Sequence, residues 1–109
     1  MSKVPGLFFM AALCASAPAL ADLALVQEKQ CMQCHTVNKD LIGPSFKHIA
    51  YRWKGNPAAE KVLISTIQSG TLEGGGQHWG AITRMPDGWE RPLVSDAEAK
   101  TIFTWIMRQ

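Results

Sequence analysis

The sequence lacks the features that mark several common classes of protein. No charge sign dominates, because 11 lysines and arginines are balanced by 9 acidic residues among 109, a net charge of +2. This balance excludes a strongly basic nucleic-acid-binding arm and an acidic disordered tail. There is no internal repeat, and no apolar run reaches the roughly 20 residues of a membrane-spanning helix. Cysteine is scarce, and three is an odd number that a disulfide framework alone would not explain.

The amino-terminal segment has the order of a secretory signal peptide. Lys3 provides the positive start, residues 7–15 form a short apolar run, and Pro18 interrupts it. Ala19-Leu20-Ala21 then matches an A-x-A cleavage site. We therefore expect residues 1–21 to be removed and residues 22–109 to form one exported domain. An uncleaved anchor helix is the alternative, which the proline and the A-x-A motif fit less well.

Removal of the signal leaves Cys31 and Cys34 as the cysteines of the mature chain. A lipoprotein would need acylation at Cys14, but Leu13 before it is too large for that processing site. A disulfide between two cysteines three positions apart closes almost no loop and constrains little of the unfolded chain. The pair therefore needs another role.

The pattern of apolar residues predicts an all-α domain. Helical segments are predicted at about residues 23–33, 44–54, 56–70 and 95–106. Asn56-Pro57 is a helix start, and Ser95 with Glu98 forms a capping box. Residues 71–94 form a long loop rich in Gly, Pro and Trp, of a length that is usually functional. A domain this small commonly needs an additional stabilising element, such as a disulfide or a bound metal, besides its apolar core.

The motif Cys31-Met32-Gln33-Cys34-His35 is C-x-x-C-H, the signature of covalent haem attachment. Its spacing presents both thiols to the vinyl groups at one haem edge, and the following histidine can offer a nitrogen to the iron. A thioredoxin-like redox pair would need a βαβ pattern, which the chain does not show. A zinc site would need a fourth ligand from His48 or His78. The motif favours a haem.

With further motifs, the chain resembles the short bacterial class I c-type cytochromes, which are single-haem periplasmic electron carriers. Beyond the attachment motif, the resemblance depends on Ile42-Gly43-Pro44, Trp79-Gly80, Met85-Pro86 and an amphipathic carboxy-terminal helix. It covers residues 22–109 in order. It implies four or five short helices around one covalently bound haem c, with the first and last helices packed across each other. Residues 71–78 and 87–94 are longer than in the shortest members, and one extra residue separates Trp79 from Met85.

The resemblance also implies the iron ligands, His35 and Met85. Met32 lies in the attachment turn on the His35 side, and Met107 is better placed for packing in the last helix. Pro86 stiffens the approach of Met85. The histidines at positions 48 and 78 are the competing ligands, and bis-histidine coordination would give a distinctly lower potential.

Roles around the haem follow from the same resemblance. The Pro44 carbonyl is expected to accept the ring N–H of His35, and the Trp79 indole to reach a haem propionate. Apolar pocket or core positions are expected at Phe46, Trp53, Ile67, Ile82 and Phe103. Trp89 and Trp105 stay open between core and surface.

A fully ligated iron has no position for substrate, so the expected function is one-electron transfer rather than enzymatic catalysis. Redox partners, a donor and an acceptor, would dock weakly at the exposed haem edge. Gln33 and Ile42 are expected to rim that edge, with lysines nearby at positions 29, 39 and 47. The alternatives are a haem subunit of a larger redox enzyme and a five-coordinate gas-binding protein. No nucleic-acid partner and no membrane span after signal cleavage are expected.

Overall fold

The computed structural model describes residues 3, 5, 6, 17–71, 84–86 and 90–109. It contains four α-helices: α1 (Ala17–Glu28), α2 (Phe46–Trp53), α3 (Ala59–Ser69) and α4 (Asp96–Met107). A short 3-10 turn, Cys31–Gln33, follows α1. The described residues include no β-strand, and the predicted all-α class is confirmed. Across the same residues, no helix is both long and apolar enough to cross a membrane.

The starts of α2 and α4 are set by side chains that accept backbone N–H groups. In α4 the predicted capping box is present: Ser95 Oγ accepts the Glu98 N–H at 3.1 Å, and Glu98 Oε1 accepts the Ser95 N–H at 3.0 Å. The helix start predicted at Asn56-Pro57 is displaced: the Asn56 side chain accepts the Ala58 N–H at 2.9 Å in a turn, and α3 begins at Ala59, two residues after Pro57, without a side-chain cap. Sequence analysis missed Ser45, a buried residue whose hydroxyl caps α2.

The first predicted helix is two separate elements. The α-helix ends at Glu28, and Gln30 takes a left-handed conformation with φ of 62°. The chain then tightens into the 3-10 turn, in which Cys31 O accepts the N–H groups of Cys34 and His35 at 3.2 and 3.0 Å. The attachment motif therefore lies in a tighter turn than the predicted helix. At its other end α1 begins at Ala17, and signal cleavage after residue 21 stays a prediction.

Helix α4 is the centre of the fold, because α1, α2 and α3 all pack against it. The expected packing of the first and last helices is confirmed. Trp105, which the sequence left open, is buried in α4, and its ring meets the Phe46 ring edge-on at 5.0 Å. The core contains Val26, Phe46, Ile49, Trp53, Leu63, Ile67, Ala99, Ile102, Trp105 and Ile106. This core ends at a cavity.

Candidate functional site

An apolar cavity lies between the 3-10 turn, residues 40–46, α3, residues 84–86 and α4. Its volume is about 290 Å³, roughly ten times the 30 Å³ that one water molecule occupies in the liquid. Close-packed interiors leave few voids larger than a water molecule, so the domain is built around another group. Apolar side chains form much of the lining: Leu41, Ile42, Phe46, Ile49, Leu63, Ile67, Ile102 and Ile106. Cys31, Cys34, His35 and Met85 line the same cavity.

The attachment turn brings two thiols to this cavity. Cys31 and Cys34 are both free and half-buried. Burial raises the pKa of the Cys31 thiol, and the positive charge of Arg91 opposes that shift. Burial therefore favours the neutral S–H form of Cys31, and both cysteines line the apolar cavity.

Three neighbours fix the orientation of the His35 ring. Nδ1 lies 2.7 Å from the Pro44 carbonyl oxygen, the contact that the sequence led us to expect. The Phe46 ring stacks on the imidazole at 5.3 Å between centroids and 27° between planes. Gly43 passes so close that a Cβ added there would lie 2.6 Å from His35 Cε1. The ring has little freedom to turn.

The same contacts set the protonation of His35. A carbonyl oxygen only accepts, so Nδ1 carries the proton and the Nε2 lone pair is available. Burial lowers the pKa of His35, the Pro44 contact works against that shift, and the charge of Arg91 adds to it. His35 is thus a neutral imidazole at neutral pH, the form that binds a metal.

Met85 and Pro86 are held against the end of α3. Thr71 brackets Met85: its hydroxyl accepts the Met85 N–H at 2.8 Å, and its own N–H donates to Met85 O at 3.0 Å. Gly70 ends α3 with φ of 70°, and a Cβ added there would clash with Met85 O and Pro86 O. Only a glycine accommodates both the conformation and the contact.

These donors fit a covalently attached haem. Two thiols and a neutral imidazole adjoin one apolar cavity, and a methionine that is fixed through its backbone lines the same cavity. A haem would fill space that the protein side chains leave open, and His35 and Met85 line the cavity as candidate ligands for its iron. Among the described residues, no group of three or more His, Cys, Asp or Glu side chains is arranged to hold a metal ion.

The residues considered as alternatives to Met85, and several expected pocket residues, lie elsewhere or outside the described residues. Met32 and Met107 pack against the core, in agreement with the interpretation of Met107 as a packing residue. His48 lies at the cavity margin, where its Nδ1 is 3.2 Å from a carboxylate oxygen of Asp40. Of the positions singled out in the sequence, His78, Trp79, Ile82 and Trp89 lie outside the described part of the chain.

The prediction for Lys29 is wrong. Its side chain is only 12% exposed, and Nζ lies 3.1 Å from Glu98 and donates to Leu93 O at 2.9 Å. Lys29 therefore joins α1 to α4 and does not belong to a docking surface. Lys39 and Lys47 are exposed as expected. Leu41 and Ile42 line the cavity and are 58% and 66% exposed, so an apolar rim is present.

Sequence analysis missed four residues that shape the site. Gly43 entered only as part of the Ile42-Gly43-Pro44 motif, and its close approach to His35, which requires glycine, was not predicted. The others are Gly70, Thr71 and Arg91, which surround Met85-Pro86. Gly70 stood out only as the end of a helix. The contacts of Thr71 and Arg91 depend on the path of the loop, which has no signal in the sequence.

Known proteins similar in sequence and structure match the part of the chain that forms the cavity. The family model described as cytochrome c matches residues 23–109. Cytochrome c-551 of Allochromatium vinosum is 34% identical over 89 residues, covering 82% of this chain and 86% of that protein. Cytochrome c-552 of Nitrosomonas europaea is 34% identical over 103 residues, covering 94% and 91%. The crystal structure of the Nitrosomonas protein aligns with a TM-score of 0.65 at 31% identity, covering 79% of this chain and 96% of that one.

Proposed function

Because the chain belongs to the cytochrome c family, we propose that it is an exported carrier of single electrons whose haem iron is bound by His35 and Met85. Membership of the family makes it an electron-transfer protein with one covalently bound haem c, and not an enzyme. The ligands, the compartment and the partners are the proposal.

The attachment rests on Cys31 and Cys34. They would hold the haem by addition of each S–H across one vinyl group, in which the sulfur bonds to one vinyl carbon and the hydrogen to the other, so that no oxidant or reductant is needed. His35 follows directly in the chain, and the 3-10 turn keeps it beside both thiols at the cavity. When bound, the haem supplies the one-electron couple, and the protein supplies the ligands and the apolar surroundings that set its potential.

The observation that carries the proposal is the fixed, neutral His35 ring in the cavity that Met85 also lines. The contact with Pro44 orients the imidazole and strengthens it as a ligand. Thioether ligation from Met85 favours the reduced iron and raises its potential. Because His35 and Met85 would both be ligands, the iron would have no position for a substrate, and one-electron transfer is the chemistry that such a haem would supply. Trp79 remains the proposed partner of a haem propionate.

Export to the periplasm is the second part of the proposal. Residues 1–21 have the features of a cleaved signal, and the family model begins to match at residue 23. Residues 22–109 would then be the working protein. The mass of the purified protein tests this directly, because cleavage after Ala21 gives a chain that begins with Asp22.

Partner docking is proposed at the exposed rim of Leu41 and Ile42. These side chains line the cavity and face solvent, so they would lie at the edge where electrons leave. The exposed lysines at positions 39 and 47 lie close by in the sequence and would steer acidic redox partners. Electron-transfer complexes of this kind are small and transient.

The proposal is tested by producing the full chain in a bacterial host that attaches haem to c-type cytochromes. We expect haem to stay with the polypeptide after denaturation, and to be lost when Cys31 and Cys34 are both replaced by serine. The reduced wild-type protein should bind carbon monoxide slowly at neutral pH. Rapid binding would show a five-coordinate iron and contradict the carrier role. Constant co-purification with a larger redox enzyme would show a subunit instead.

A further inference from the structure

The segment after Met85 contains an arginine, Arg91, that was not among the residues expected to surround the haem. Arg91 lies in the stretch of residues 87–94 that is expanded relative to the shortest cytochromes of this class. Its side chain is half-buried and turned toward Pro86. Nε donates to the Pro86 carbonyl oxygen at 2.8 Å, and Nη2 reaches Thr66 O at 3.4 Å.

A count of backbone groups shows why this contact matters. Met85 and Pro86 together have three polar backbone groups, since proline has no N–H. Thr71 engages the N–H and the carbonyl of Met85. Arg91 engages the third group, the Pro86 carbonyl. The whole backbone of the Met-Pro segment is thus hydrogen-bonded, and a charged donor supplies the bond on the Pro86 side.

Arg91 is itself anchored to the rest of the fold. Two positions further along the chain, Leu93 O accepts from Lys29 Nζ at 2.9 Å. Gln68 Nε2, in α3, lies 3.3 Å from Val94 O and 2.7 Å from Asp96 Oδ1. The guanidinium therefore links Met85-Pro86 to a backbone that α1 and α3 already hold.

The same guanidinium connects the loop to α3. Thr66 O already accepts the Gly70 N–H at 2.8 Å, within the last turn of α3, where carbonyl groups carry partial negative charge. A positive charge at the carboxy-terminal end of a helix is favourable, and Arg91 places its guanidinium there. Nη2 of Arg91 reaches Thr66 O, while Nε donates to Pro86 O. Arg91 thus joins the end of α3 to the residue next to Met85.

We propose that Arg91 is a positioning residue for Met85: its guanidinium fixes the Pro86 carbonyl against α3 and keeps the thioether at the iron. This inference rests on the proposed ligation by Met85. Arg91 acts on Met85 through the Pro86 carbonyl oxygen, to which its Nε donates. Its effect is on how readily Met85 leaves the iron.

The test uses the holoprotein and imidazole, which competes with Met85 for ferric iron. Binding is followed by loss of the thioether-to-iron charge-transfer band. Arg91→Gln removes the charged donor, and its apparent affinity for imidazole should rise about tenfold to a hundredfold, as expected for loss of a hydrogen bond from a charged group. Arg91→Lys keeps the positive charge but cannot donate to two carbonyl groups as the guanidinium does. Its imidazole affinity should lie between those of the wild type and Arg91→Gln.

Arg108→Gln is the matched control. This variant also removes one guanidinium that makes a short polar contact, here the 2.7 Å ion pair with Asp22, but Arg108 lies at the carboxy-terminal end of α4. Its imidazole affinity should stay within about twofold of wild type, because it holds no part of the loop.

The outcomes separate the two proposals. A wild-type spectrum without the charge-transfer band would overturn both Met85 ligation and the role of Arg91. A wild type with the band, and an Arg91→Gln variant with unchanged imidazole affinity, would overturn the role of Arg91 alone, even if the variant melts at lower temperature. If Arg91→Gln yields no holoprotein, the Arg91→Lys affinity decides, and a value equal to wild type overturns the inference.

Discussion

Replacing Gly43 by alanine adds one methyl group against the His35 ring. The new Cβ would lie 2.6 Å from Cε1, 2.9 Å from Nδ1 and 3.2 Å from Nε2. Ordinary contact begins at 3.4 Å, so the ring must move by about 0.8 Å, the difference between 3.4 and 2.6 Å. That movement strains either the 2.7 Å contact with Pro44 or the stacking on Phe46.

The size of the effect follows from two opposing contributions. Overpacking of this kind costs roughly 1–3 kcal/mol. Alanine also restricts the unfolded chain, which favours folding by about 0.4–1 kcal/mol where the backbone tolerates it. Gly43 is not among the positive-φ glycines, so this second contribution applies. The clash prevails, and we expect a net loss of about 1–2 kcal/mol.

The assay is denaturant unfolding of the ferric holoprotein together with NMR of the paramagnetically shifted His35 ring protons. Gly55→Ala is the control: its Cβ meets nothing within 4 Å, but φ of 74° makes alanine cost roughly 1–2 kcal/mol. Both variants should lose similar stability, and only Gly43→Ala should shift the His35 signals. Wild-type stability and unshifted His35 signals in Gly43→Ala would refute the close approach of Gly43 to the ring.

Three further predictions concern the surroundings of the site. Phe46→Ala removes a buried ring that stacks on His35 and should cost about 3–5 kcal/mol in chemical unfolding. Ser95→Ala should cost about 1 kcal/mol in the same assay, through loss of the α4 cap. The N–H of Ser45 lowers the pKa of Asp40, so this contribution to stability is complete above the ordinary pKa of aspartate and is lost as the pH falls through the folded-state value. Asp40→Asn should therefore flatten the acid side of the stability profile, and an unchanged profile would argue against this role.

Local signals in the sequence were sufficient for the presence of the four helices and for the haem-attachment motif, but not for where α1 ends and α3 begins. The Ser95–Glu98 capping box and the turn at Asn56 are formed by residues two or three positions apart, so their chemistry can be read directly. The C-x-x-C-H motif works in the same way, because its geometry lies within one turn. Ser45 shows the limit, since its cap is local but its burial is not.

Residues whose partners lie far along the chain could not be interpreted this way. Lys29 was expected at a docking surface, but its partners Leu93 and Glu98 become neighbours only when α1 meets α4. Thr71 and Arg91 converge on Met85 and Pro86 from opposite ends of the long loop. Burial and long-range hydrogen bonds depend on how the helices pack, and a pattern along the sequence does not contain that information.

The central claim is that His35 and Met85 close both axial positions of the iron. An optical spectrum of the oxidised and reduced holoprotein, taken for wild type and for Met85→Ala, tests it most directly. We predict a thioether-to-iron charge-transfer band in the oxidised wild type, no such band in Met85→Ala, and rapid carbon monoxide binding only in the reduced variant. A band that persists in Met85→Ala, or rapid carbon monoxide binding by the reduced wild type, would contradict the claim.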